Sequence, residues 1–87
     1  MAENAILVEI VPEDPDRSID EVLAQVKQLL PEGCEIKDTK VEPYVYGLKK
    51  IKVMILAPEK EGLAYEIEEK LSTIEGAEAE VVSITRI

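Results

Sequence analysis

Two segments with regular apolar patterns predict the central strands of a sheet. Residues 4–11 are apolar and β-branched and end at Pro12, which is typical of a buried strand. In residues 48–57, apolar side chains alternate with lysines, so Ile51 and Val53 are expected to face a core while the neighbouring lysines face away from it. These two segments are the most apolar in the chain and are therefore predicted to lie in the middle of the sheet.

Two further segments have weaker strand patterns. Residues 34–41 carry many charges, as expected of a strand at the edge of a sheet. Residues 77–87, AEAEVVSITRI, predict a last strand that runs to the end of the chain.

Apolar residues at helical spacing predict two amphipathic helices. The first covers residues 18–30, where Ser18 followed by Glu21 matches the capping-box pattern of a helix start. The second covers about residues 62–74 and is expected to close at Gly76.

The resulting order βαββαβ predicts an α+β fold, the ferredoxin-like sandwich. This fold has a four-stranded antiparallel sheet, here in the order 4-1-3-2, with two helices on one face. A faint internal repeat supports it, because IVPED (10–14) is similar to LAPEK (56–60), and LPEG (30–33) to TIEG (73–76). We expect residues 1–87 to form a single domain.

Composition narrows the classes of partner. The chain has 19 acidic and 10 basic side chains, a formal charge of −9, which disfavours direct contact with nucleic acid or with an anionic membrane surface. The sheet face opposite the helices also lacks aromatic side chains at its predicted positions, whereas RNA-binding members of this fold stack bases on such rings. Its apolar members leave a protein contact or a dimer surface as alternatives.

Composition also argues against an enzyme. The chain has no histidine, no glycine-rich phosphate loop and no calcium-loop spacing, so we expect no catalytic residue, no metal site and no cofactor. Its one cysteine, Cys34, is interpreted as a small buried residue. Without a basic leader or a long apolar run, the protein is expected to be cytoplasmic.

The most distinctive segment is PYVYGLKKI, residues 43–51, which holds two of the three tyrosines in the chain. It falls between the second and third predicted strands, so Tyr46 and Gly47 are expected at the tip of a hairpin. From the residues alone, Tyr46 is more simply a ring that covers the edge of the core.

The segment YGLKKI resembles the FGIKKL-type signature of the elongation factor 1-beta family, and the similarity extends over essentially the whole chain. A domain of this length is similar to the archaeal type. The resemblance implies a binding protein that promotes GDP release from elongation factor 1-alpha during translation elongation, without making or breaking covalent bonds. Its partner is that GTPase, and a monomer is favoured.

The resemblance also implies which residues bind the partner. The ring before the hairpin glycine, here Tyr46, contacts the second domain of the GTPase. The penultimate basic residue, here Arg86, reaches towards the magnesium and phosphate region. The chain differs from eukaryotic members in having tyrosine for phenylalanine at Tyr46 and arginine for lysine at Arg86. The predicted partner-binding residues are Tyr46, Gly47, Lys49, Lys50, Arg86 and Ile87.

The predicted topology separates these residues into two groups. Because the second strand runs up and the fourth runs down, the hairpin and the C-terminus are expected at opposite ends of the sheet, roughly 30 Å apart. Only a large partner can contact both. Two alternatives remain at this point, a small-molecule-binding regulatory module of the same fold and a structural oligomer.

Overall fold

Six regular elements follow one another in the predicted order. A computed structural model describes residues 3–87, in which a short 3-10 turn at Val45–Gly47 joins the second strand to the third. The elements are β1 (Glu3–Pro12), α1 (Ile19–Leu29), β2 (Glu35–Pro43), β3 (Lys49–Pro58), α2 (Leu63–Leu71) and β4 (Ala77–Arg86).

The four strands form one antiparallel sheet in the order β2-β3-β1-β4, which confirms the predicted topology. β1 lies between β3 and β4 and is hydrogen-bonded to both. Its register on β3 places Ile6 opposite Ile55 and Val8 opposite Val53. Directly opposite residues of a sheet point to the same face, so these pairs build one continuous apolar layer.

The core lies between the helices and one face of the sheet, as the alternating pattern predicts. Each fully buried aliphatic side chain contributes about 1.5–3 kcal/mol relative to an exposed one. On the opposite face, Leu7, Met54 and Leu56 are half-buried, and no aromatic ring lies among them. The buried residues are Ile6, Val8, Ile10, Val22, Val26, Ile51, Val53, Ile55, Ala57, Leu63, Ile67, Leu71 and Ile74.

The first helix begins as predicted, and the second ends earlier. The side chain of Ser18 accepts a hydrogen bond from the backbone N–H of Glu21 and caps α1. α2 ends at Leu71 and not near residue 74, because the N–H groups of Thr73 and Ile74 donate to carbonyls three residues back, those of Lys70 and Leu71, instead of four. The chain then turns so that Ile74 still reaches the core, which explains why its spacing is typical of a helix.

Hydrogen bonds join the loop after β1 to the turn before β4. The Glu13 N–H donates to the Gly76 carbonyl at 2.8 Å, and Arg17 Nη1 donates to the carbonyl of Glu75. Gly76 has a φ of 74°, and a Cβ at this position would lie 3.0 Å from Arg17 Nη1. The positive φ favours glycine at this position, and a larger residue would also have to displace the end of the Arg17 side chain.

β4 contains an irregularity that the sequence pattern did not reveal. Leu7 pairs with Ser83 and Val8 pairs with Val81, so Val82 is an extra, bulged residue. Next to the bulge, the Val81 N–H donates to Glu68 Oε2 of α2 at 2.8 Å. This contact satisfies a backbone group on the outer edge of the sheet and ties α2 to β4.

We expect Glu68→Ala to lower the free energy of unfolding by about 1–2 kcal/mol, because it removes a half-buried hydrogen bond to a charged acceptor. Urea denaturation followed by circular dichroism measures this change. Glu69→Ala, which removes an exposed carboxylate from the same helix, is the matched control. Equal unfolding free energies for the two variants would show that Glu68 does not support β4.

Candidate partner-binding site

The hairpin between β2 and β3 has an unusual backbone at Tyr46. This residue has φ 57° and ψ 32°, the left-handed region that side chains other than glycine rarely occupy, and Gly47 follows with φ 75°. Two backbone hydrogen bonds close the turn, from Tyr44 N–H to the Leu48 carbonyl at 2.9 Å and from Leu48 N–H to the Val45 carbonyl at 3.1 Å. The tip is thus a defined turn that holds Tyr46 in a strained conformation.

The side chains of this tip form an exposed apolar patch, which we call the hairpin patch and define as Tyr44, Val45 and Tyr46. Their exposed fractions are 43%, 54% and 95%. The Tyr46 ring therefore does not cover the edge of the core, which was its simplest interpretation from the residues alone. Sequence reasoning did not select Val45, since a single valine in a hairpin carries no distinctive pattern.

Lys50 contacts both the hairpin patch and a carboxylate of β1. Its Nζ lies 4.5 Å from the centre of the Tyr44 ring, within the range of a cation–π contact, and 3.2 Å from Glu9 Oε1. The structure therefore engages Lys50 within the domain, whereas Lys49 is exposed and has no ion pair among residues 3–87. Of the two lysines predicted to bind a partner, only Lys49 is free to do so without giving up an internal contact.

Further ion pairs lie on the sheet face opposite the helices. Lys52 Nζ lies 2.9 Å from Glu42 Oε1 and 4.0 Å from Glu9 Oε2. The hydrogen bond and charge of Lys52 lower the pKa of Glu42, and those of Glu42 raise the pKa of Lys52. Both groups stay charged at neutral pH, so the lysines of this face are paired with carboxylates.

The other predicted contact lies at the end of β4. Arg86 is the last residue of the strand, and the Ile87 N–H donates to the Glu3 carbonyl at 2.9 Å. Arg86 Nη2 lies 2.5 Å and 2.7 Å from the two carboxylate oxygens of Glu59. The arginine side chain is 70% exposed. Ile87 is also exposed.

The two groups of predicted residues lie at opposite ends of the sheet. Asn4 of β1 pairs with both Ala57 of β3 and Arg86 of β4, so Arg86 is level with the end of β3. Lys49, next to the hairpin, lies at its start. Eight residue steps at about 3.3 Å separate these levels by about 26 Å before the hairpin turn is added. This separation agrees with the sequence prediction and with the long dimension of the molecule, 41 Å.

The rest of the described chain offers little chemistry. No group of three or more histidine, cysteine, aspartate or glutamate residues between positions 3 and 87 is placed to hold a metal ion. Cys34 is half-buried against the core, and burial, with a smaller contribution from the charge of Glu66, raises the pKa of its thiol. A raised pKa keeps the thiol protonated and unreactive. No helix within residues 3–87 has the length and apolar character to cross a membrane.

Comparison with known proteins identifies the family. Residues 5–87 match the family described as the EF-1 guanine nucleotide exchange domain. Elongation factor 1-beta of Archaeoglobus fulgidus is 36% identical over 83% of this chain and 82% of its own length. The protein of the same name from Staphylothermus marinus is 35% identical over 100% of this chain and 99% of its own. The chain therefore belongs to the EF-1 guanine nucleotide exchange domain family.

Solved structures of low sequence identity share the fold. The C-terminal domain of the MgtC protein from Mycobacterium tuberculosis has a TM-score of 0.62 at 11% identity, over 98% of this chain and 85% of its own. The ACT domain from GTP pyrophosphokinase of Chlorobium tepidum has a TM-score of 0.57 at 16% identity, over 98% and 99%. These likenesses support the ferredoxin-like sandwich and carry no information about function.

Because Tyr46 is held in a left-handed conformation, a residue that tolerates this conformation should not destabilise the domain. We expect Tyr46→Asn to leave the free energy of unfolding unchanged or to raise it by about 1 kcal/mol. Thermal or urea denaturation measures the difference. The control is Tyr65→Asn, which removes an exposed ring from α2, where tyrosine and asparagine have similar helix propensities and asparagine should bring no gain in stability. A clear loss of stability in Tyr46→Asn would mean that the ring supports the fold.

Proposed function

We propose that this protein promotes GDP release from elongation factor 1-alpha by contacting the GTPase at both ends of its sheet. Guanine nucleotide exchange on this GTPase, in translation elongation, is the function that its family defines. The contribution of each end is our proposal. The observation that carries it is the separation of the hairpin patch from Arg86 by at least the length of a strand, about 26 Å.

The hairpin patch has the properties of a binding anchor. Aromatic rings supply a large contact area and lose little conformational freedom when they are buried against a partner. Tyr46 presents almost its whole ring to solvent while its backbone stays in an unfavourable conformation. A strained, exposed ring is better accounted for by a role in binding than by a role in folding.

The C-terminal end supplies charge. Arg86 is a permanent cation on the last strand residue, in a position to approach the magnesium and phosphate region of a bound GTPase. A cation placed there would compete with the partner's magnesium ion for its anionic ligands. Weakening that ion weakens GDP, because the ion bridges protein and phosphate charge.

Exchange then follows from thermodynamic linkage. A factor that binds the nucleotide-free GTPase more tightly than the GDP-bound form must lower the affinity of the GTPase for GDP by the same ratio. No covalent bond is made or broken, so the domain needs neither a catalytic residue nor a cofactor of its own. We place this activity in the cytoplasm and assign it to a monomer that does not bind nucleic acid directly.

The activity is tested by following the release of a fluorescent GDP analogue from purified elongation factor 1-alpha. We expect the protein to accelerate release, and Tyr46→Ala to reduce the acceleration at least tenfold at limiting factor concentration, in line with the loss of an interface anchor. Tyr65→Ala removes an exposed ring from the helical layer and serves as the control. No acceleration at micromolar excess of the wild-type protein would refute the proposed function.

The two ends should affect different parameters of the same assay. If the hairpin patch binds and Arg86 acts on the nucleotide site, Tyr46→Ala should raise the half-saturating concentration, while Arg86→Ala should lower the maximal release rate. Lys27→Ala, which removes an exposed cation from α1, is the control for charge. An identical pattern in the two variants at positions 46 and 86 would contradict the division of roles.

A further inference from the structure

We propose that Glu59 is a positioning residue for Arg86, holding the guanidinium by one nitrogen so that the rest of the group is presented to an anionic site on the partner. This inference deepens the proposed function and rests on it. It assigns a role to a carboxylate in the loop after β3, far along the chain from the arginine that it contacts.

The path of the arginine side chain supports this role. Arg86 pairs across β1 with Asn4, and Asn4 pairs with Ala57, so the backbone of β4 is two strand spacings, about 10 Å, from that of β3. The side chain crosses the start of β1 to reach Glu59, just beyond the end of β3. It is therefore extended along the end of the sheet in one direction, towards β3.

The hydrogen-bond pattern leaves part of the guanidinium unoccupied. Both contacts to Glu59 come from the same nitrogen, Nη2, at 2.5 Å and 2.7 Å. Nη1 and Nε of Arg86 have no hydrogen-bond acceptor within residues 3–87. A guanidinium has five N–H donors, so the N–H groups of Nη1 and Nε remain able to donate to a carboxylate or a phosphate while Nη2 is held by Glu59.

The Glu59–Arg86 pair lies at the surface, which suits a role in positioning the arginine for a partner. The Glu59 and Arg86 side chains are 40% and 70% exposed, so a partner can approach the arginine while the pair stays intact. The backbone at this end is already fixed, because the Ile87 N–H donates to Glu3. Only the side-chain torsions of Arg86 remain free to rotate. Because the contact with Glu59 orders these torsions before binding, it lowers the entropic cost of contact with a partner.

The variant Glu59→Ala removes the anchor, and Glu61→Ala removes a nearby exposed carboxylate that makes no recorded contact with Arg86. In the GDP-release assay, we expect Glu59→Ala to lower the maximal rate about three- to fivefold, the effect of an exposed ion pair, with the half-saturating concentration unchanged. Glu59→Gln keeps a neutral acceptor and should fall between Glu59→Ala and wild type. Glu61→Ala should match wild type.

Two further measurements separate positioning from a general structural effect. In an Arg86→Ala background, Glu59→Ala should cause no additional loss of rate, since its effect passes through the arginine. In the free protein, NMR relaxation of the Arg86 side-chain nitrogens should show greater mobility in Glu59→Ala than in wild type. The unfolding free energies of Glu59→Ala and Glu61→Ala should be equal.

The outcomes distinguish this inference from the function on which it rests. A wild-type protein that does not accelerate GDP release overturns the function, whatever the NMR measurement shows. An active wild type with a fully active Glu59→Ala overturns the role of Glu59 alone, and so does an Arg86→Ala variant without defect. A Glu59→Ala variant that is faster than wild type would make Glu59 a restraint on the arginine, which also overturns positioning.

Discussion

The antiparallel pairing of β1 with β3 is the interaction on which the rest of the structure depends. It stacks Ile6 on Ile55 and Val8 on Val53, and both helices pack against the layer that these residues form. Since β1 is central, its register also decides which residues share each end of the sheet. The hairpin is placed at one end and the chain terminus at the other by the same apolar pairs that hold the core together. The same apolar pairs therefore stabilise the fold and set the distance between the two proposed contact sites.

Much of the fold can be predicted from periodicity, because each predicted element buries one regular set of side chains. The alternation around Ile51 and the cap at Ser18 indicate elements that the structure confirms. The predicted end of α2 is wrong because Ile74 keeps a helical spacing although the chain has already turned, a tertiary effect that spacing alone does not reveal. The bulge at Val82 is missed for a similar reason, since only the partner strand shows that one residue is unpaired.

The site was less accessible to sequence reasoning than the fold. Tyr46 stands out through a family resemblance, but its left-handed backbone could not be inferred, because the following Gly47 is the residue expected to adopt that conformation. The sequence predicts Lys50 as a contact residue, whereas its contacts with Glu9 and Tyr44 arise only in the folded structure. Glu59 is one of 19 acidic residues, and nothing in its neighbourhood along the chain distinguishes it. Its ion pair with Arg86 joins residues far apart in the sequence and depends on the order of the strands.

The bulge at Val82 also determines on which side of the sheet the chain terminus carries its charge. Side chains of a strand alternate between faces, so one additional residue reverses the orientation of every residue after it. With the bulge, Arg86 is opposite Asn4 and shares the helix-bearing face with Ala57. In an uninterrupted β4, Arg86 would be opposite Glu3, on the other face and turned away from Glu59. The orientation of the terminal cation thus depends on whether the number of residues in β4 is odd or even, so loss or gain of a single residue there would move the guanidinium to the opposite face of the sheet.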